Sequence, residues 1–154
     1  MQPHCIIVSP QQLPLPLVFE EWRSAPAFEG IYEVSNCGRV RRSATGSRTY
    51  IGRLLEPLIN SANKRLYVRL TKEGKGKHVP VHRLVGIAFM SPPEPGQEIN
   101  HIDGNPANNH TNNLEWVTRS ENLKHAFRLG LRPSNAGEGN PRARLTNTQV
   151  LEIR

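Results

Sequence analysis

The chain has 154 residues, of which 36% are hydrophobic, with thirteen Pro and twelve Gly. That apolar share lies below the roughly 45–50% of an average globular chain, so a large buried core is not expected. Twenty Lys and Arg against thirteen Asp and Glu give a net charge of +7, no run approaches the ~18–20 apolar residues of a membrane span, and two cysteines are too few for a disulfide scaffold.

Residues 1–19 are proline-rich, almost uncharged and without periodicity, and are expected to form a disordered leader. Their apolar patch, Cys5 to Val8, has no basic residue ahead of it, which argues against a secretory signal. A reducing, cytoplasmic setting is the default expectation. Residues 20–42 read "EEWRSAPAFEGIYEVSNCGRVRR". "IYEVS" and "RVRRS" are two short strands joined by the turn "SNCGR", where Asn36 and Gly38 tolerate positive φ. In "LYVRL", alternation places Leu66, Val68 and Leu70 on one face and Tyr67 and Arg69 on the other. "KEGKGK" reads as a basic hairpin tip with "HVPV" returning from it. Residues 28–80 are thus expected to form one small antiparallel sheet with Arg and Lys on one side, and Trp22 and Tyr32 in its packing.

"VHRLVGIAFM" (81–90) has apolar residues at helical spacing and stops at "SPPEPG". A short strand "QEINHI", an Asn-rich loop from Asp103 to Asn113, and a second strand "LEWVT" follow. Ser120 is the expected N-cap of the helix "ENLKHAFRLG", and Gly130 its stop. Strand, loop, strand and helix make a ββα unit, with Trp116 and Phe127 in its core. "LTNTQVLEIR" starts a further helix.

Charge is concentrated. Residues 39–83 hold twelve basic residues and two acids, a local +10, while the remainder sums to −3. Such a segment attracts a polyanion by counterion release. Seven Asn lie between 100 and 122, among His101, Asp103, His110 and His125. An amide does not titrate; its uses are turns, hydrogen bonds and oxygen ligation of hard cations. Around a histidine it points to a metal-assisted site in which the His handles protons.

"EINHIDGNPANNHTNNLEWVTRSENLKHA" resembles the HNH nucleases, most closely those of phages and intron-encoded homing enzymes. The upstream "EEWRSAPAFEGIYEVSNCGRVRR" resembles the small NUMOD-type DNA-binding module that often precedes them. "VHRLVGIAFM" is similar to their lead-in helix, and "GEGNPRARLTNTQVLEIR" to the linker and first helix of a C-terminal helix-turn-helix. The resemblance implies an α+β fold, a small antiparallel β-sheet module followed by a ββα-metal domain. It divides the chain into the leader (1–19), a basic β-rich DNA-binding module (20–80), the HNH nuclease domain (81–130), and a linker with the start of a helix-turn-helix (131–154).

It also implies an activity: hydrolysis of DNA phosphodiester bonds with one divalent ion, on double-stranded DNA, by a monomer without a membrane partner. By position, His101 is the general base and Asn113 orients it and braces the loop. Asn100 and Asn122 are metal ligands, with His125 a further ligand and Asp103 a source of negative charge. Asn100 departs from the Asp or His frequent there, and amide oxygens favour Mg²⁺ or Mn²⁺, with Zn²⁺ as the alternative. No Cys pair is present to form a zinc knuckle. His82 reads as a packing or phosphate residue and His110 as a solvated or phosphate-facing one. Arg39, Arg41, Arg42, Arg65, Arg69, Lys75 and Lys77 are the expected DNA contacts. The competing reading is a DNA-binding protein on an inactive HNH fold.

Overall fold

The computed structural model describes residues 19–46, 49–132 and Gln149. The expected leader, apart from Phe19, and the expected C-terminal linker and helix start, apart from Leu131, Arg132 and Gln149, lie outside the described residues. Three strands, β1 (Trp22–Ser24), β2 (Tyr32–Ser35) and β3 (Val40–Arg42), pair antiparallel in that order. The register sets Trp22 opposite Ser35 and Val34 opposite Val40. Val34 and Val40 are buried at 0% and 2% exposure, so this sheet has one dry face. β1 is an addition to the expected strands, because three residues are too few to show an alternation.

A second antiparallel sheet follows, β4 (Leu58–Ile59), β5 (Leu66–Lys72) and β6 (Lys75–Pro80). The strands of residues 28–80 therefore belong to two sheets rather than one, the first completed by β1. Residues 43–57 contain Gly46, Gly52 and Pro57, which interrupt the strand pattern, and the 52–55 stretch bonds back to β3, Gly52 N–H donating to Arg42 O and Arg42 N–H to Arg53 O at 2.8 Å each. Leu55 N–H donates to Val40 O at 2.9 Å, and Thr71 N–H donates to the Tyr32 hydroxyl at 3.2 Å. The β5 alternation is as expected, with Val68 and Leu70 buried. The β5–β6 turn is Glu73-Gly74, both with positive φ, which suits the twist of a two-residue hairpin. Its basic residues do not share one side. Arg69 pairs with His78 and Leu70 with Lys77, so pleating puts Arg69 on one face and Lys75 and Lys77 on the other.

Helix α1 (Val81–Phe89) begins as β6 ends. It buries Val81, Leu84 and Val85, at 2% exposure or less, against β2 and β5 on one side. On another side it meets β7 (Gln97–His101) and β8 (Leu114–Thr118). The buried residues form a single cluster running from Ala25 to Leu114. Where α1 crosses β7 there is no space for a side chain: a Cβ at Gly86 would lie 2.5 Å from Ile99 Cδ1 and 3.4 Å from Trp116. The Trp116 indole N–H donates to Ser91 O at 2.9 Å, tying β8 to the chain just beyond α1.

α2 (Arg119–Arg128) completes the ββα unit. Its N-cap is Thr118 rather than Ser120: Glu121 N–H donates to Thr118 Oγ1, and Thr118 N–H donates to the Glu121 carboxylate. Thr118 has Glu121 three residues on, whereas Ser120 has Leu123, so only Thr118 can close that reciprocal pair. Gly130, at φ 67, stops the helix as expected. Phe127 is 44% exposed and is not core, because it lies on the solvent side of α2. No helix among the described residues is long and apolar enough to cross a membrane.

The contact at Gly86 yields a stability prediction. Gly86→Val is expected to lower unfolding free energy by ~1–3 kcal/mol, the usual cost of overpacking. Ile87→Val, at a 53% exposed neighbour, should change it by less than about 0.5 kcal/mol. Paired denaturant titrations measure both.

Candidate active site

β7 and β8 pair with Asn100 opposite Glu115 and His101 opposite Leu114. Alternation then sorts β7 onto two faces. Glu98 and Asn100 face α2, and Ile99 and His101 face α1.

On the α2 side the expected Asn100, Asn122 and His125 meet two carboxylates that the sequence did not single out. Asn122 Nδ2 donates to Glu98 Oε1 at 2.6 Å. Asn100 Nδ2 donates to Glu115 Oε1 at 2.8 Å and approaches His125 Nδ1 at 3.2 Å. His125 Nε2 lies 3.1 Å from Ile102 O, and a carbonyl can only accept, so Nε2 carries the proton and Nδ1 receives the Asn100 amide. Both nitrogens of His125 are thus engaged, and it orients Asn100 rather than offering a ligand lone pair. The hydrogen bonds of Asn100 and Asn122 use their amide nitrogens, which leaves the amide oxygens as the donors for a hard cation. Glu98 and Glu115 hold those amides in place, as outer-shell carboxylates do around metal ligands.

On the α1 side His101 is buried at 5% exposure. Its Nε2 lies 3.1 Å from Asn109 Oδ1. Asn109 Nδ2 donates to Ala107 O at 3.2 Å, which fixes the amide with its oxygen toward His101. Nε2 therefore holds the proton and Nδ1 carries the lone pair. Burial, the largest influence, pushes the His101 pKa down; the Asn109 bond raises it and Arg65 lowers it. The His82 ring packs edge-on at 5.5 Å between centroids. His82 is 3% exposed, its Nδ1 has no partner, and burial with help from Arg65 and His101 pushes its pKa down to about 3. It is a packing residue.

The Asn-rich loop is braced by Asp103 and Asn113. The Asp103 carboxylate accepts from Asn108 Nδ2 at 2.7 Å, Asn105 N–H at 2.8 Å and Asn113 Nδ2 at 2.9 Å. These bonds, the Asn108 side chain first, hold its pKa below the usual value. Asn113 Oδ1 receives Asp103 N–H at 3.0 Å, and Asn113 Nδ2 also donates to Asn108 O. Asn113 is a loop brace, while contact with His101 is made by Asn109. The Asp103 carboxylate is thus bonded within the loop, to Asn105, Asn108 and Asn113. His110 Nδ1 receives Asn112 N–H at the start of the 3-10 turn Thr111–Asn113, a structural cap. Among the described residues no three His, Cys, Asp or Glu side chains gather as a metal cage.

Beside Asn122 opens a cleft of about 470 Å³ lined by Arg65, Glu98, Arg119, Asn122, Leu123, Ala126 and Arg132. Arg65 also lines a smaller cleft of about 290 Å³ with His82, Arg83 and Trp116. The other expected DNA contacts divide into two groups. Arg39 pairs with Glu20; Arg41 pairs with Glu33 at 2.7 Å and stacks 4.1 Å over Trp22; Arg42 lies 4.9 Å over Tyr32 and donates to Ala44 O. These three have partners within the protein. Arg69, Lys75 and Lys77 are exposed on the β5–β6 hairpin.

Comparison with known proteins places this geometry. Residues 79–124 match the HNH endonuclease family, and residues 20–71 match the NUMOD4 motif. The chain carries an HNH endonuclease module preceded by a NUMOD4 motif. The SPbeta prophage-derived putative HNH homing endonuclease YosQ of Bacillus subtilis is 45% identical over 73 residues, a match covering 47% of this chain and 42% of that one. DNA endonuclease I-HmuI of Bacillus phage SP01 is 38% identical over 112 residues, or 71% of this chain and 59% of that one. The solved structure of I-HmuI, described as DNA binding and cleavage by the HNH homing endonuclease, superposes with a TM-score of 0.65 at 36% identity, covering 75% of this chain and 62% of that one. The chain thus spans about half the length of these curated relatives. The α+β fold, with small antiparallel sheets ahead of the ββα unit, agrees with that neighbour.

His82 makes the HNH module sensitive to acid. Its folded pKa, about 3, lies below the unfolded value near 6.5, so between those limits the unfolded chain binds the extra proton. The His82 contribution to stability is expected to be complete above about pH 6.5 and to fall by at most about 1.4 kcal/mol per pH unit as pH drops toward 3. His82→Phe should remove that share of the slope. Urea titrations of both proteins from pH 7.5 to 4.5 measure it.

Proposed function

We propose that this chain is a metal-dependent endonuclease of double-stranded DNA in which His101 is the general base and one divalent ion sits on the Asn100 and Asn122 amide oxygens. The observation that carries the reading is the His101–Asn109 bond. It holds the proton on Nε2 and so leaves the lone pair on Nδ1, while burial favours the neutral ring, the state a general base needs near neutral pH. The similarity to I-HmuI supports DNA as the substrate.

The donor set fits a hard cation with an incomplete protein shell. Asn100 and Asn122 are neutral oxygen donors, and their carboxylate partners Glu98 and Glu115 bring negative charge nearby. When bound, the ion supplies neutralising charge to the scissile phosphate and the departing 3′-oxygen. The chain's own residues do the rest. His101 takes the proton from a water attacking phosphorus as the P–O3′ bond breaks. Asn109 keeps the ring in register, and Arg65, Arg119 and Arg132 receive the backbone in the cleft beside Asn122. The amide oxygens suit Mg²⁺ or Mn²⁺. The chain acts as a monomer in the cytoplasm of a bacterial or phage-infected cell, and one such site cuts one strand.

The test is cleavage of supercoiled plasmid with a titration of Mg²⁺, Mn²⁺ or Zn²⁺. Nicking should require a divalent ion and fall ~10²–10⁴-fold in His101→Ala, the range general-base catalysis contributes. Cleavage undiminished in that variant would remove His101 as the base. Salt-sensitive binding with no cleavage in any of the three ions would make the chain a DNA-binding protein on an inactive HNH fold.

The exposed hairpin should carry more of the DNA affinity than the paired arginines. Lys75→Ala with Lys77→Ala should flatten the dependence of log Kd on log salt by ~0.9 for each phosphate that is no longer neutralised. Arg39→Ala with Arg41→Ala should flatten it less. Fluorescence anisotropy on a DNA duplex at four salt concentrations compares them.

A further inference from the structure

Besides the core they share through α1, the NUMOD4 motif and the HNH module touch at a small polar contact next to His101. The turn between β2 and β3, Asn36 to Gly38, lies on the Asn-rich loop, far along the sequence. Asn36 O receives two bonds from Thr111, the backbone N–H at 2.8 Å and the hydroxyl at 3.0 Å. Gly38 sits against Asn109 so closely that a Cβ there would be 2.8 Å from Asn109 Cβ and 3.1 Å from its carbonyl oxygen. Asn109 is 3% exposed, and its side-chain oxygen is the partner of His101 Nε2.

The turn is itself held from behind. Asn36 N–H donates to Glu21 O at 3.0 Å, Asn36 Oδ1 receives Glu21 N–H at 3.0 Å, and Asn36 Nδ2 donates to Phe19 O at 3.1 Å. Three bonds fix Asn36 to the strand entry, two more fix it to Thr111, and Gly38 closes the remaining space over Asn109. The turn therefore sets where Asn109 stands, and Asn109 sets the His101 ring.

We propose that the Asn36–Gly38 turn of the NUMOD4 motif is a positioning element for the nuclease site, holding His101 through Asn109. Its catalytic consequence rests on the reading of His101 as the base; the positioning itself does not. The DNA-binding module is then a structural part of the HNH site and not only a tether for it. A shift of the β2–β3 turn on DNA would be passed to the histidine across two side chains.

Two glycines separate this from backbone strain. Gly38 and Gly30 have φ of 81° and 74°, but a Cβ at Gly30 would meet nothing within 4 Å. Gly38→Ala and Gly30→Ala thus share the left-handed strain, and only Gly38→Ala adds an atom against Asn109. The experiment uses the full chain labelled with ¹⁵N-histidine, with His101 assigned by loss of its signals in His101→Ala. In Gly30→Ala, the His101 ring resonances and the plasmid cleavage rate should stay within about twofold of wild type. In Gly38→Ala, the ring resonances should move and cleavage at saturating DNA should fall ~100-fold, as a misplacement of about 1 Å can cause. Metal-free DNA affinity should remain within about twofold.

His101 resonances in Gly38→Ala that match those of Gly30→Ala would overturn the proposal. Should Gly38→Ala fail to fold, Thr111→Val removes the hydroxyl bond to Asn36 without adding bulk. It is expected to move the same resonances by less, and unchanged resonances there overturn the proposal equally. Moved resonances with undiminished cleavage would uphold the positioning and instead remove His101 as the base.

Discussion

The fold depends on one short helix. α1 has nine residues, and its buried side, Val81, Leu84 and Val85, touches strands that precede it and strands that follow it. With 36% hydrophobic residues the chain cannot build a separate core for each module. It builds one, and α1 is its centre. Fully burying side chains of this type yields ~1.5–3 kcal/mol each relative to exposure. The shared core is what lets two three-stranded sheets and a two-stranded one, each marginal alone, hold fixed positions.

The polar side of the molecule follows from that arrangement. β7 lies between α1 and α2, so alternate residues enter two different environments. His101 enters a dry one with His82 and Asn109. Asn100 enters a polar one with Glu115 and His125. A buried charge without a partner would be costly in either place. Amides avoid that cost, because each has a donor and an acceptor and carries no charge. That is a physical reason for the run of asparagines from 100 to 122: Asn100, Asn109 and Asn113 are all at least nine-tenths buried and all hydrogen-bonded.

Much of this was legible in the sequence where a short-range rule was strong. The β5 alternation, the α1 spacing and its stop at consecutive prolines, and the ββα order all rest on local patterns. The Thr118 cap was also legible, since Glu121 stands three residues on; Ser120 lacks such a partner. What could not be read was decided by pairing across distance. Nothing in "PANNHTNN" tells which Asn meets His101, because that depends on how the loop folds around Asp103. Glu98 and Glu115 gain meaning only from the β7–β8 register and the approach of α2. Arg39 and Arg41 look like free cations until Glu20 and Glu33 are placed beside them. Phe127 fits an apolar helical face, yet α2 is short and packs through its polar side.

Two tryptophans in 154 residues lie in different modules. Trp22 is in β1 beneath the Arg41 guanidinium, with Arg39 at 5.8 Å from its ring. Trp116 is in β8 with its indole N–H on Ser91 O. An indole's emission colour and yield respond to the charge above its ring and to the hydrogen bond at its nitrogen. The two emitters therefore watch different events. A polyanion that draws Arg41 away changes the light from Trp22, and a loosening of α1 from β8 changes that from Trp116. With Trp22→Phe and Trp116→Phe to separate the signals, the protein carries its own optical readout for each half, without an attached dye.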